Sequence, residues 1–200
     1  MSVTLTRRSA LLACAATGLA GCAAQEGPGV PETPGARSTG PGPTRRPRAR
    51  PPASPRHLAI PSIGVSARLV GLGLQDDGTV EVPSVRGTAG WFRLGTVPGR
   101  RGSAVILGHV DSVDGPDVFA DLSALRSPDR VQVVLSDDSL VTFEVTGIET
   151  YANADFPADL VYAGTRRRRE LNLVTCGGDY DRERGGYQSN VVVFTRRTRA

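Results

Sequence analysis

Glu170-Leu171-Asn172-Leu173-Val174-Thr175-Cys176-Gly177-Gly178 is the stretch from which the rest of the chain is read. Its apolar residues are dense and too short a run for a helix, which predicts a buried strand that delivers a cysteine to its tip. The two glycines behind it let the chain turn. A second stretch answers it: Ser103-Ala104-Val105-Ile106-Leu107-Gly108-His109-Val110-Asp111-Ser112. That is another apolar strand, and it ends on a histidine. Few other residues are equipped for covalent chemistry.

The cysteines gain meaning from the start of the chain. Residues 1–22 read as an export signal and leave the fold argument. Thr6-Arg7-Arg8-Ser9 is a charged start with a twin arginine, and Ala10 to Ala20 is an apolar run. The run is about a dozen residues, against roughly 20 for a bilayer-spanning helix. Leu19-Ala20-Gly21-Cys22 resembles a lipobox, which makes Cys22 the candidate lipidation site. An ordinary cleaved signal or a membrane anchor are the competing readings. Of Cys14, Cys22 and Cys176, only Cys176 then remains as a thiol of the exported domain. An odd cysteine outside the cytosol is a reactive thiol or an intermolecular bridge.

Residues 23–55 read as a disordered linker rich in Pro, Gly and Arg, with too few large apolar residues to build a core. Its prolines make it a semi-stiff tether of up to about 3.1 Å per residue. Residues 56–200 are the folded domain. All 24 basic residues are arginine, and the formal net charge is +4. Much of the excess lies in the linker and in two clusters, 166–169 and 196–199. No helix-turn-helix pattern and no metal-finger spacing accompanies it, which argues against nucleic-acid binding.

Within the domain the signals are mostly of strand. His57 to Val65 reads as an edge strand bent at Pro61 and Gly64. Asp76-Asp77-Gly78-Thr79 is a turn before a short strand at Val80-Glu81-Val82. Ala89-Gly90-Trp91-Phe92 precedes a glycine-rich loop. Val118, Phe119, Leu122 and Leu125 have the spacing of a helical turn. Residues 130–135 and 140–150 form a hairpin around Asp137-Asp138. A connection from Asn153 to Arg169 carries a short helical turn near Ala158 to Val161. A loop then follows Cys176, and Asn190 to Thr195 is the closing strand. Short strands, Gly/Pro turns and little helix predict a mostly β sandwich or barrel with one or two short helices.

For chemistry, Cys176 is the candidate nucleophile, since a thiol at an accessible strand end needs only a base or a positive field to act. An inert core cysteine in a binding module is the alternative. His109 is the candidate acid and base: imidazole accepts and returns protons near neutral pH. His57, at the linker edge, reads as a surface residue. Acyl transfer also needs a donor for the developing oxyanion, and Arg182 and Arg184 are the candidates. No His or Cys has ligand-spaced neighbours, so neither a metal nor another cofactor is expected.

Leu107-Gly108-His109-Val110-Asp111 together with Leu173-Val174-Thr175-Cys176 resembles the sortase family of exported cysteine transpeptidases. The resemblance extends to Gly177-Gly178, Tyr180-Asp181, Tyr187 and Asn190-Val191-Val192-Val193, as in the class F group, and to the segments at Ala89-Gly90-Trp91-Phe92 and Gly115-Pro116-Asp117-Val118-Phe119. It implies an eight-stranded β-barrel. It implies that Cys176 attacks the Thr–Gly bond of an LPxTG-like sorting-signal peptide, forming an acyl-thioester. An amine of a cell-wall peptide or a pilin lysine would resolve it, at the outer face of the cytoplasmic membrane. It implies Thr175, Leu107 and Trp91 as substrate-side residues, and the connection 153–169 as a wall of the peptide groove. One departure stands out: the place of the family's arginine, counted back from the valines, holds Asn190 or Ser189, which leaves Arg182 or Arg184 to reach back. Another Cys/His wall enzyme, the L,D-transpeptidase, keeps its His and Cys close in sequence, unlike this chain.

Overall fold

The computed structural model describes residues 53–165 and 167–198. The export signal, Cys22 and nearly all of the linker lie outside the described residues. Ten strands follow in chain order: β1 Pro55–Ile60, β2 Val65–Leu72, β3 Ala89–Phe92, β4 Gly102–Leu107, β5 Asp111–Ser112, β6 Gly115–Pro116, β7 Arg130–Leu135, β8 Leu140–Ala152, β9 Arg169–Asp181 and β10 Gly186–Arg197. Eight of them close a barrel in the order β1-β2-β3-β4-β9-β10-β8-β7, and β5 and β6 form a small ribbon. The fold is the eight-stranded barrel that the sequence resemblance implied. Pairs β2–β3 and β4–β9 are parallel.

Side-chain alternation fills the barrel. In β7, Val131, Val133 and Leu135 are buried while their neighbours are half-exposed or exposed. In β8, Val141, Phe143 and Val145 do the same. They meet Leu58, Ile60, Leu171, Leu173 and Val193 in one core. Strand β4 shows no alternation and is buried throughout. Its other face is covered too, by a second cluster of Val105, Leu107, Val161, Val174 and Val192. This double burial is why the segments before His109 and Cys176 read as continuous apolar runs.

Phe119, Leu122 and Leu125 are fully buried against the barrel core. The helical turn expected there is a 3₁₀ turn at Leu122–Ala124. Phe119→Ala is expected to cost about 3–5 kcal/mol of unfolding free energy. Denaturant unfolding checks this, and a loss below about 1 kcal/mol would contradict the placement of Phe119 as a core residue.

Three sequence expectations are corrected. Strand β9 does not stop at Cys176 but runs on to Asp181, and β10 begins at Gly186, well before Asn190. Tyr187 pairs with Tyr180 and Ser189 with Gly177, so Gly178 and Asp179 together oppose Gln188. Gly178 has φ +73°. The glycines therefore bulge the strand without ending it, because a left-handed glycine supplies the extra residue of a bulge. Second, Val80-Glu81-Val82 is no strand: only a single bridge joins Val80 to Leu74. The Glu81 carboxylate instead accepts the Gly73 amide at 2.5 Å. Third, β1 pairs with both β2 and β7, so barrel closure leaves it no free edge. The connection from Asn153 carries a 3₁₀ turn at Asn153–Asp155 and a π-helical turn at Asp159–Ala163.

Candidate active site

The parallel register of β4 and β9 sets the site. Leu107 pairs with Val174, and the Gly108 amide donates to the Val174 carbonyl at 3.1 Å. His109 and Cys176 each lie two residues beyond that pair, so they stand level with one another, His109 just past the end of β4 and Cys176 within β9. Gly108 is required where it stands: a Cβ there would lie 2.6 Å from the Phe119 ring and 2.7 Å from Val118. The backbone beyond it is pinned, with the His109 carbonyl accepting the Phe119 amide at 2.9 Å and the Val110 carbonyl accepting the Asp117 amide at 3.0 Å.

His109 Nε2 lies 2.8 Å from the Pro83 carbonyl oxygen. A carbonyl only accepts, so Nε2 carries the hydrogen, and in the neutral ring Nδ1 is left as the acceptor. Pro83 belongs to the connection between β2 and β3, and that connection is itself tied down. Arg86 donates to the carbonyls of Asp114 and Pro116, and the Gly87 amide donates to the Asp117 carboxylate.

Cys176 is half-buried. Among the described residues its sulfur makes no hydrogen bond, to His109 or to any other group. Burial pushes its thiol pKa up, and the Asp111 carboxylate acts in the same direction. Both effects penalise the thiolate. At rest, then, this is a neutral thiol that requires a base to become a nucleophile. No arginine among the described residues offsets that penalty.

Asp111 is held by Tyr187, whose phenol donates to its carboxylate at 2.5 Å. The bond ties the β9–β10 hairpin to the chain just past His109. Tyr180 packs edge-on against Tyr187, with ring centroids 5.2 Å apart. Giving up the bonded proton would set a phenolate beside a carboxylate, so the Tyr187 pKa is pushed up to about 12, chiefly by the hydrogen bond to Asp111. Tyr162 is pushed to about 12 by burial alone. In an alkaline ultraviolet titration, Asp111→Ala is expected to move Tyr187 back toward an ordinary phenol and leave Tyr162 late. An unchanged curve would contradict the Asp111–Tyr187 bond.

Beside the paired residues Leu107 and Val174 lies a cavity of about 340 Å³. Leu107 and Val174 line its floor, Phe156 and Tyr162 come from the connection before β9, and Tyr187 and Asn190 from β10. Asn190 pairs directly with Cys176 across the strands, and strand alternation places both on this outer face. It is 6% exposed. Its Nδ2 donates to Asn153 Oδ1 at 2.8 Å, and Asn153 Nδ2 donates to the Tyr187 carbonyl at 2.7 Å. The relay orients both amides. The Oδ1 of Asn190 is buried without a partner. A buried orphan acceptor is costly unless something meets it.

The other expected site residues fall in different places. Leu107 lines the cavity. Thr175 alternates to the opposite face from Cys176, with its hydroxyl buried and unpartnered. Trp91 packs against the barrel core, and its indole donates to the Thr96 carbonyl at 3.0 Å. Arg182 is exposed in the turn between β9 and β10. It lies six positions past Cys176, beyond the bulge at Gly178, at most about 20 Å along the chain. Arg184 borders the cavity, and its Nε sits 2.7 Å from Asp181 Oδ2. His57 contacts Ser66 through its ring at 3.0 Å, away from the site. Sequence reasoning names Asn190 as a motif residue, as the start of the closing strand and as the occupant of the arginine's place, and gives it no role in the site. The signal that could have found it was the pairing register, which a hairpin reading of residues 176–190 would have supplied. Among the described residues no three His, Cys, Asp or Glu side chains gather as metal ligands. No helix among them is long and apolar enough to cross a membrane.

The family model of the sortase domain matches residues 58–198. Among solved structures, the chain is similar to sortase A from Corynebacterium diphtheriae, with 18% identity and a TM-score of 0.57, covering 76% of this chain and 64% of that one. Sortase C-1 from Actinomyces oris is similar at 20% identity and a TM-score of 0.57, covering 72% of this chain and 73% of that one. Sortase C2 of Group B Streptococcus Pilus Island 1 is similar at 18% identity and a TM-score of 0.56, with the same coverage of 72% and 73%. At these identities the structural likeness is one of fold. Comparison with curated proteins gave no significant match.

Proposed function

The chain belongs to the sortase family of cysteine transpeptidases, and from that premise we propose that it cleaves an LPxTG-like sorting signal after Thr and transfers the acyl part to an amine. The observation that carries this reading is the register that sets His109, just past β4, level with Cys176 on β9, beside a cavity with an apolar floor and walls of amide and aromatic side chains.

In this reading Cys176 Sγ attacks the scissile carbonyl as its proton leaves to the His109 ring. The oxyanion collapses, the C–N bond breaks, and His109 returns the proton to the departing Gly amine. An acyl-thioester on Cys176 remains. An incoming amine attacks it, His109 takes the amine's proton, and the C–S bond breaks to restore the thiol. General acid and base work of this kind is worth about 10²–10⁴-fold in rate. For the oxyanion, the nearest side-chain donor in register with Cys176 is the Asn190 amide, which has one N–H left after its bond to Asn153. Its orphan Oδ1 is suited to accept a peptide N–H. Arg184 borders the groove from the hairpin end, and Arg182 is the more distant of the two arginines.

The export signal and tether complete the reading. Lipidation at Cys22 would hold the domain at the outer face of the cytoplasmic membrane, within reach of secreted sorting signals. A cell-wall peptide or a pilin lysine would supply the acceptor amine. Mass spectrometry of products tests the proposal: the full-length chain is incubated with an LPxTG peptide and a panel of glycine-, diaminopimelate- and lysine-type amines. Cleavage after Thr with one amine in the product supports transpeptidation and names the acceptor class. An uncleaved peptide throughout a panel of related sorting signals would overturn it.

A further inference from the structure

The described arginines of the two clusters noted in the sequence, 167–169 and 196–197, arrive at one place. Gly102, at the start of β4, pairs with Arg169 at the start of β9, and Arg196 near the end of β10 pairs with Glu170. Arg101, Arg167, Arg168, Arg169, Arg196 and Arg197 therefore surround one cleft of about 630 Å³, larger than the cavity beside Cys176. It lies at the start of β9, where Arg169 is seven positions before Cys176, about 23 Å along the strand.

Ordinary surface arginines disperse or pair with carboxylates. These do neither. Arg169 Nη1 and Arg197 Nη1 both donate to the Gly99 carbonyl, at 3.3 and 3.0 Å, which fixes two guanidinium groups side by side on one oxygen. Arg168 has a loose pair with Glu170 at 3.9 Å. Among the described residues, none of the other five has a carboxylate within ion-pair distance. Glu170 is engaged by the Ser103 hydroxyl as well. Arg196 has Glu144 and Glu170 opposite it on the two neighbouring strands, but neither comes within ion-pair distance of it, and like charges held this close raise the energy of the empty cleft and favour an anion that bridges them. Guanidinium forks match the oxygens of phosphate, and several of them together favour an anion of more than one charge over a lone carboxylate.

We propose that this cleft is a binding site for phosphate-bearing anions, separate from the catalytic groove. The phosphate could belong to a lipid headgroup or to a soluble polyphosphate, and the test has an arm for each. Calorimetric titration of the full-length chain with inorganic pyrophosphate is one arm. Co-sedimentation with phosphatidylcholine vesicles, with and without phosphatidylglycerol, is the other. The diagnostic variant is Arg101→Gln with Arg196→Gln, since neither side chain has a hydrogen bond or ion pair in the structure whose loss would disturb the fold. The charge-matched control is Arg56→Gln with Arg68→Gln, on the β1–β2 side of the barrel.

Binding in either arm should weaken at least about tenfold in the diagnostic variant, as expected for lost charge-assisted hydrogen bonds, and fall as salt rises. The control should bind like the unaltered chain. A loss confined to the pyrophosphate arm identifies a soluble phosphate, and a loss confined to phosphatidylglycerol vesicles identifies a headgroup. Absence of binding in both arms, or equal binding by the two variants, would overturn the proposal.

Discussion

Cys176→Ala is expected to lower kcat/KM for both cleavage and transfer by on the order of 10⁵-fold, to the level of uncatalysed background. Loss of an enzyme's nucleophile removes the covalent route altogether, and no neighbour can substitute. Thr175, the nearest hydroxyl in sequence, is buried on the opposite face of the strand. The fold should survive, because the sulfur is half-buried and makes no hydrogen bond whose partner would be orphaned. Peptide binding should survive as well, since Leu107, Val174, Phe156 and Asn190 are untouched. The measurement is a steady-state assay beside an unfolding curve for each protein. Residual activity above about 1% would mean that the acyl group is not carried by this thiol.

His109→Gln is expected to cost about 10²–10⁴-fold in kcat with little change in KM. Glutamine is chosen because its amide can still donate toward the Pro83 carbonyl that now holds the ring. The backbone pins to Phe119 and Asp117 do not involve the side chain and should remain. What is lost is the proton traffic. The resting thiol makes that loss severe: burial and Asp111 both hold Cys176 in its neutral form, so a base is needed. A variant that kept most of its rate would assign the histidine to positioning alone.

The strength and the limits of the sequence reading have one physical origin. Strands buried on both faces announce themselves, so β4 and the buried first half of β9, and with them His109 and Cys176, were legible. So were the alternating β7 and β8, whose register is written into which side chains meet the core. The bulge at Gly178 was not legible, because two glycines after an apolar run describe a turn as well as a kinked strand. That single ambiguity shortened β9 and β10 on paper and hid the register that sets Asn190 opposite Cys176. The motif names Trp91 but not its surroundings, which depend on strand parity and on the Thr96 carbonyl. Long-range ties were out of reach for the same reason. Tyr187 and Asp111 lie 76 residues apart, and only the closed barrel brings the hairpin over the loop after β4.

The most direct test of the account is to trap the acyl-enzyme. The full-length chain is mixed with an LPxTG peptide in the absence of amine, quenched in acid, and analysed by intact mass and by peptide mapping. The account predicts an added mass equal to the peptide through Thr, carried on the fragment containing Cys176 and discharged when amine is restored. Cleavage of the peptide with the adduct on another residue, or with no adduct at any time point, would contradict it.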